Sequence, residues 1–351
     1  MKPISYSNSK SFDLIFQHLA SITDNCLWIL DENPPVNCPG ANDKITVITN
    51  RFDVYQTMIN KGFHCFFNDF DFSVLAQNTY QYILYRISKE KALSHYVINQ
   101  ANNLLSKTGS FIISGAKQEG IKGYIDRAGS VLTLTQTLKA DKQHWAGVFQ
   151  QNTLSTTVLD DKDYRTIRAV DNGDTDLSFL SKPGVFGWNK IDLGSKLLVA
   201  NLAALFRQRQ APASILDIGC GYGYLSMHCA QLFASDITAC DNNGAAVDSC
   251  RENFKNSGIA GQVIATNCTQ KIDTQFDLIV CNPPFHTGFD THNDLTDLFL
   301  RGANKNLAKD GIAVFVVNLH IPLARKAASY FNDIQLLAEN NHFKVLVLKN
   351  S

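Results

Sequence analysis

From residue 183 onward, short apolar runs alternate with stretches in which apolar residues recur every three or four positions. The runs fall at Ser214–Ile218, Asp236–Cys240, Gln262–Thr266, Phe276–Cys281, Ile312–Asn318 and Phe343–Leu348. Between them the helical period fills Leu193–Phe206, Tyr224–Phe233, Ala245–Asn256, Leu295–Leu307 and Leu323–Phe331. Short buried strands separated by amphipathic helices predict an α/β domain with a parallel, doubly wound sheet. Ligands of such sheets bind at the carboxyl ends of the strands, so candidate chemistry is sought there first.

The first half repeats the alternation. Apolar runs occur at Cys26–Leu30, Ile45–Thr49, Phe63–Phe67, Tyr80–Tyr85, Phe111–Ser114 and Val131–Thr135, with helical segments at Phe12–Ala20, Val54–Lys61 and Glu90–Ser106. No close sequence repeat links the halves, yet the shared order suggests two copies of one architecture. Between them, residues 152–182 are polar and rich in Asp, Thr and Asn, which reads as a connection. The expected organisation is a domain over 1–151, a linker over 152–182 and a second domain over 183–351.

Composition narrows the class. The 351 residues carry 32 Lys+Arg against 32 Asp+Glu, which excludes a strongly basic nucleic-acid wrapper but not a locally basic face. The longest apolar run, Ile312 to Val317, is far short of the roughly 20 residues that span a bilayer, so no membrane contact is expected. The opening Met1–Tyr6 lacks the apolar stretch of a signal peptide. Nine scattered cysteines without a Cys-x-x-Cys pair read as reduced thiols of a cytoplasmic protein. His95, His144 and His320 are isolated, and no metal site is expected.

The first strand of the second half runs into Leu216-Asp217-Ile218-Gly219-Cys220-Gly221-Tyr222-Gly223. Glycines there let the backbone turn sharply and approach a ligand, with the amides of the next helix facing it. The dinucleotide pattern needs its third glycine at position 224, which is Tyr224, and the glycine comes one residue early at Gly223. Asp217 before the loop would repel a phosphate and suits an ammonium. Asp241 ends the second strand, twenty residues after Gly221, where a carboxylate accepts from both hydroxyls of a ribose. Either acid alone reads equally well as a helix cap. Together with the glycines they point to S-adenosylmethionine, which carries an ammonium and a ribose diol. Asn267, after the third strand, suits an adenine contact, although a plain loop residue reads nearly as well.

The fourth strand, Phe276–Cys281, leads into Asn282-Pro283-Pro284-Phe285. An exocyclic amine or an amide nitrogen is a poor nucleophile because its lone pair is delocalised. Two acceptors on its N–H groups hold that nitrogen so that the lone pair faces a methyl donor. The Asn282 Oδ1 is one and the Pro283 carbonyl the other. Consecutive prolines fix φ and stiffen the turn. Phe285 offers a face on which the target ring stacks. The chain holds a control, Asn33-Pro34-Pro35, which follows the first strand of the first half, precedes Val36 and has no glycine loop nearby. That copy reads as a turn.

These segments resemble the bacterial small-subunit ribosomal RNA guanine-N2 methyltransferase C family. The resemblance rests on Pro183-Gly184-Val185-Phe186, Asp192-x-Gly194-Ser195-x-x-Leu198, the Asp217–Gly223 loop, Asp241, Asn282-Pro283-Pro284-Phe285-His286-x-Gly288, Arg301-Gly302-Ala303 and Phe343-Lys344-Val345. Trp188-Asn189 departs from the more polar residues expected at that point. The resemblance implies two tandem Rossmann-like methyltransferase folds, the N-terminal one degenerate. It implies methyl transfer from S-adenosylmethionine to the 2-amino group of one guanine, with ribosomal RNA of the small subunit or an assembly intermediate as partner of a monomeric enzyme. Within it, Asp192 and Gly194 would face the methionine end of the cofactor; as a bare motif, Asp192 reads equally as the cap of the helix from Leu193. Asn-Pro-Pro-aromatic serves adenine N6 and protein glutamine amides as well. A catalytically silent RNA-docking module is a third reading, and Gly223 with Asp217 disfavours a dehydrogenase.

The first half lacks both the glycine loop and Asn-Pro-Pro-aromatic after its fourth strand. Residues 86–127 hold seven basic and three acidic residues, a surplus that suits phosphate contacts through Arg86, Lys89 and Lys91. A solvated helix face is the alternative.

Overall fold

The computed structural model describes residues 10–19, 22–31, 37–171, 176–284 and 292–350. The chain divides into two compact units, residues 1–166 and 167–351.

In the first unit the strands are β1 (Cys26–Leu30), β2 (Ile45–Thr49), β3 (His64–Phe67), β4 (Tyr80–Arg86), β5 (Leu105–Ala116), β6 (Thr133–Lys139) and β7 (His144–Gln150). Its helices are α1 (Lys10–Leu19), α2 (Phe52–Asn60), α3 (Lys91–Leu104) and α4 (Ile121–Val131). The sheet order is β3-β2-β1-β4-β5-β7-β6. Central strands are buried on both faces, so the period-two rule shows as a split between two cores. Leu27 and Ile29 point into one cluster, and Cys26, Trp28 and Leu30 into the other.

The second unit opens with a two-residue ribbon, β8 (Arg168–Ala169) and β9 (Leu180–Ser181). It continues as α5 (Leu193–Leu205), β10 (Ser214–Ile218), α6 (Tyr224–Leu232), β11 (Asp236–Asp241), α7 (Gly244–Asn256), β12 (Gly261–Ala265), β13 (Phe276–Cys281), α8 (His292–Asn306), β14 (Leu307–Asn318), α9 (Leu323–Ala327), β15 (Asp333–Glu339) and β16 (Phe343–Lys349). The order β12-β11-β10-β13-β14-β16-β15 repeats that of the first sheet. The two-copy architecture is therefore present, since both sheets share one strand order.

The expected parallel sheet is present, with one reversed strand in each unit. In each unit one strand runs against the rest: β7 pairs antiparallel with both β5 and β6, and β16 with both β14 and β15. Apart from β16, the elements at that end of each sheet carry the weakest apolar signal. The faces of β15 and β6 are largely exposed, and β7 and α4 carry glycines (Gly147, Gly123, Gly129) that interrupt their periods. The run at 131–135 is the end of α4 followed by the start of β6, not one strand.

Residues 152–166 are bound to the first unit. Asn99 Nδ2 on α3 donates to the Leu159 carbonyl (2.9 Å), His95 Nδ1 lies 2.7 Å from the Asp160 carbonyl, and the Tyr164 hydroxyl donates to Asp69 (2.8 Å). Residues 176–182 belong to the second unit, where the Asn253 side chain bonds both N and O of Leu180 (2.8 Å each). All nine cysteines are free, and all but Cys38 are buried. Among the described residues no helix is long and apolar enough to cross a membrane.

Candidate active site

Strand β10 lies between β11 and β13, so three carboxyl ends meet at one place: Ile218 is in register with Cys240 and with Cys281. The glycine loop leaves the first, Asp241 ends the second and Asn282 follows the third.

Gly219, Gly221 and Gly223 all have positive φ (74°, 56° and 91°), a region costly for side-chain-bearing residues. The loop is pinned from below, because the amides of Gly219 and Cys220 both donate to the Cys240 carbonyl (2.8 and 3.0 Å). It is pinned at its middle by Asp241, whose Oδ2 accepts from the Gly221 amide (3.0 Å) and whose Oδ1 accepts from the Asn243 amide (2.9 Å). Asp241 does not cap α7. Asn243 does, accepting from the Ala245 amide (3.0 Å), and its Nδ2 donates to the Gly184 carbonyl (2.7 Å), tying residues 183–187 to the site. Asn243 drew no notice in the sequence, though Asx before a helical period is an N-cap signal.

Asp217 is completely buried. Its Oδ2 accepts from the Ser226 amide (3.0 Å) and hydroxyl (2.6 Å) on α6, so the capping alternative holds for that oxygen. Its Oδ1 is buried without a partner. Burial pushes the carboxyl up to about 7, against the opposing pull of the Ser226 bonds and with help from the Asp241 charge. A buried acceptor lacking a donor fits an incoming ammonium.

Asn282 is half-buried and Pro283 buried. The Asn282 Nδ2 donates to Asp192 Oδ2 (2.8 Å) and to Ser195 Oγ (2.9 Å). A carboxylate only accepts, so the NH2 end of the amide must face it and Oδ1 is turned away. Among the described residues Oδ1 makes no hydrogen bond. Asp192 also caps α5, its Oδ2 accepting from the Ser195 amide (2.8 Å). Asp192 is thus a cap that also holds Asn282, a link that the sequence did not suggest.

Gly194 lies under the Phe343 ring, where a Cβ would sit 3.0 Å from two ring carbons. Gly302 on α8 plays the same part beside Cys268 and Thr269, bringing the helix against the loop that carries half-buried Asn267. Phe285 and the Asn33-Pro34-Pro35 turn lie outside the described residues. In the first unit, Arg86 is only 7% exposed, its guanidinium held by Glu119 and lying over the Phe12 ring. Burial and that pairing withdraw Arg86 from any phosphate, whereas Lys89 and Lys91 are exposed. Among the described residues no cluster of three or more His, Cys, Asp or Glu could hold a metal.

Family models match both units. A model of the methyltransferase small domain matches residues 176–347, and a model of the methyltransferase small domain N-terminal region matches residues 18–158. The relatives include ribosomal RNA small subunit methyltransferase C of Shewanella pealeana, 28% identical over 259 residues, which span 73% of this chain and 74% of that protein. The enzyme of the same name from Serratia proteamaculans is 35% identical over 171 residues, 48% of each chain. The chain belongs to the ribosomal RNA small subunit methyltransferase C family. The fold agrees as well: the T. thermophilus 16S rRNA N2 G1207 methyltransferase, solved with AdoMet and guanosine, superposes with a TM-score of 0.82 at 18% identity over 98% of this chain and 92% of that one. Members of this family are S-adenosylmethionine-dependent methyltransferases.

Proposed function

We propose that the second unit transfers a methyl group from S-adenosylmethionine to the exocyclic N2 of a specific guanine in small-subunit ribosomal RNA. The observation that carries this is the orientation of Asn282, whose amide nitrogen is consumed by Asp192 and Ser195 so that Oδ1 is left to accept. S-adenosylmethionine supplies, when bound, an electrophilic methyl carbon on a sulfonium. Asp217 Oδ1 accepts from its ammonium, Asp241 from its ribose diol, and Asn267 contacts the adenine. Each Asp241 oxygen already holds one backbone donor and retains a lone pair for a hydroxyl.

Asn282 Oδ1 accepts one N–H of the guanine amine and the Pro283 carbonyl accepts the other. Phe285 stacks on the base, a contact worth about 1–3 kcal/mol. The nitrogen would thereby be held with its lone pair available to a methyl donor. With the methyl group that the cofactor would supply, that nitrogen would become cationic and would then release a proton to water. No strong base is needed, and positioning supplies most of the rate. Lys89 and Lys91 of the first unit contact RNA phosphates, and the small subunit or an assembly intermediate is the substrate of a monomeric enzyme.

Tritiated methyl transfer tests the acceptor. Small subunits, naked small-subunit RNA, DNA and release-factor protein are offered in parallel. Label in the RNA is expected; label confined to protein or DNA overturns the reading.

A further inference from the structure

We propose that the carboxyl edge of the first unit's sheet is an RNA-backbone docking surface organised by Trp145; this rests on ribosomal RNA being the substrate. That edge corresponds to the one that holds the methyl-transfer chemistry in the second unit, but its acids are occupied and its lysines are not. Lys122 at the start of α4 and Lys139 at the end of β6 each place their ammonium 4.1 Å from the Trp145 ring centroid. Lys139 and Trp145 are cross-strand partners. The Trp145 indole N–H donates to the Lys142 carbonyl (3.5 Å), and the Lys117 amide donates to the Gln143 carbonyl (2.7 Å), so four lysines surround one turn.

The carboxylates that could neutralise them are committed elsewhere. Asp141 is bound by Lys10 (3.0 Å) and His144 (2.9 Å), contacts that hold its carboxyl below the usual range. Glu119 is bound by Arg86 and by the Ala116 amide. Among the described residues Lys117, Lys122, Lys139 and Lys142 form no ion pair, and none links Lys122 to Asp126 one turn on.

Two ammonium groups at one ring repel each other, and each exposed cation–π contact returns only about 0.5–1 kcal/mol. An anion engaged by both ammonium groups offsets that repulsion. The ring orders two flexible side chains beforehand, which lowers the cost of engaging a phosphate. Protection of an exposed edge strand would explain Lys139 on β6 but not Lys122 on a helix. With cations over the indole, base stacking there is disfavoured, so the surface reads phosphates rather than sequence.

The test is K122E/K139E in the full chain, binding naked small-subunit RNA across a salt series. Affinity should fall by at least about tenfold, and the slope of log K against log salt should shrink by about 1.4, two single-strand phosphates at roughly 0.7 each. K122Q/K139Q should lie between. K44E/K107E makes the same charge change at the opposite, amino edge and should leave the slope unchanged. At saturating RNA, kcat of K122E/K139E should equal that of the parent chain. An unchanged slope, while the parent chain methylates RNA, overturns the surface. Normal binding to naked RNA with weakened binding to small subunits also overturns it, in favour of a protein contact. If the parent chain methylates no RNA, the substrate reading fails and the surface falls with it.

Discussion

The side-chain nitrogen of Asn282 sits 2.8 Å from Oδ2 of Asp192, the same oxygen that caps α5. One carboxylate therefore fixes both a helix start and the direction of the catalytic amide. D192S keeps a good cap but cannot reach Asn282. Its kcat should fall about 100-fold, the scale of an ångström-sized misplacement, while cofactor affinity stays within a few-fold. D192N, which retains the acceptor, should recover most of the rate. Steady-state kinetics with direct cofactor titration checks this, and equal losses in both variants would remove the orienting role.

Asn282 and Asp241 should fail in opposite ways. Asn282→Ala should abolish turnover with cofactor affinity within a few-fold, since the role proposed for its Oδ1 is toward the acceptor amine. Asp241→Ala should weaken cofactor binding first, because the glycine loop also loses the bond at Gly221. Isothermal titration beside single-turnover transfer separates the two. Collapse of cofactor binding in Asn282→Ala would contradict its assignment.

Asp217 supplies a pH signature. An unfolded carboxyl titrates near 3.8, and the folded one is pushed up to about 7. Between these values the ligand-free folded chain holds a proton that the unfolded chain has lost, so its stability falls as pH rises from about 4 to about 7. An ammonium favours the ionised form. Cofactor affinity should therefore rise with pH toward 7 and then level, with proton release on binding below 7. Titration in buffers of different ionisation enthalpy measures that proton; its persistence in Asp217→Asn would assign it elsewhere.

Gly223 joins a φ of 91° to a position where a Cβ would meet Cys250 Sγ at 2.8 Å. Gly223→Ala should cost about 2 kcal/mol or more, read as a drop of several degrees in Tm, and weaken cofactor binding. A variant as stable as the parent would show that the loop relaxes freely.

The chain exposes its fold unevenly. Buried central strands are legible because both faces are apolar: β10 and β13 run from Ser214 to Ile218 and from Phe276 to Cys281, as their patterns indicate. The edge strands β15 and β6 face solvent on much of their surface, and nothing in their alternation distinguishes them from loops. The site divides in the same way. Asp217, the glycines, Asp241 and Asn282 follow strand ends within a few residues, so local spacing reveals them. Asp192 and Asn282 are ninety residues apart and meet only through packing of α5. Arg86 shows the converse: a basic residue in a charged stretch looks available until the fold brings Glu119 to it.

Nucleoside analysis of small-subunit RNA after incubation with labelled S-adenosylmethionine tests the central claim most directly. The account predicts label in N2-methylguanosine at a single position with the parent chain and none with Asn282→Ala. Label in N6-methyladenosine, or equal labelling by the two proteins, would contradict it.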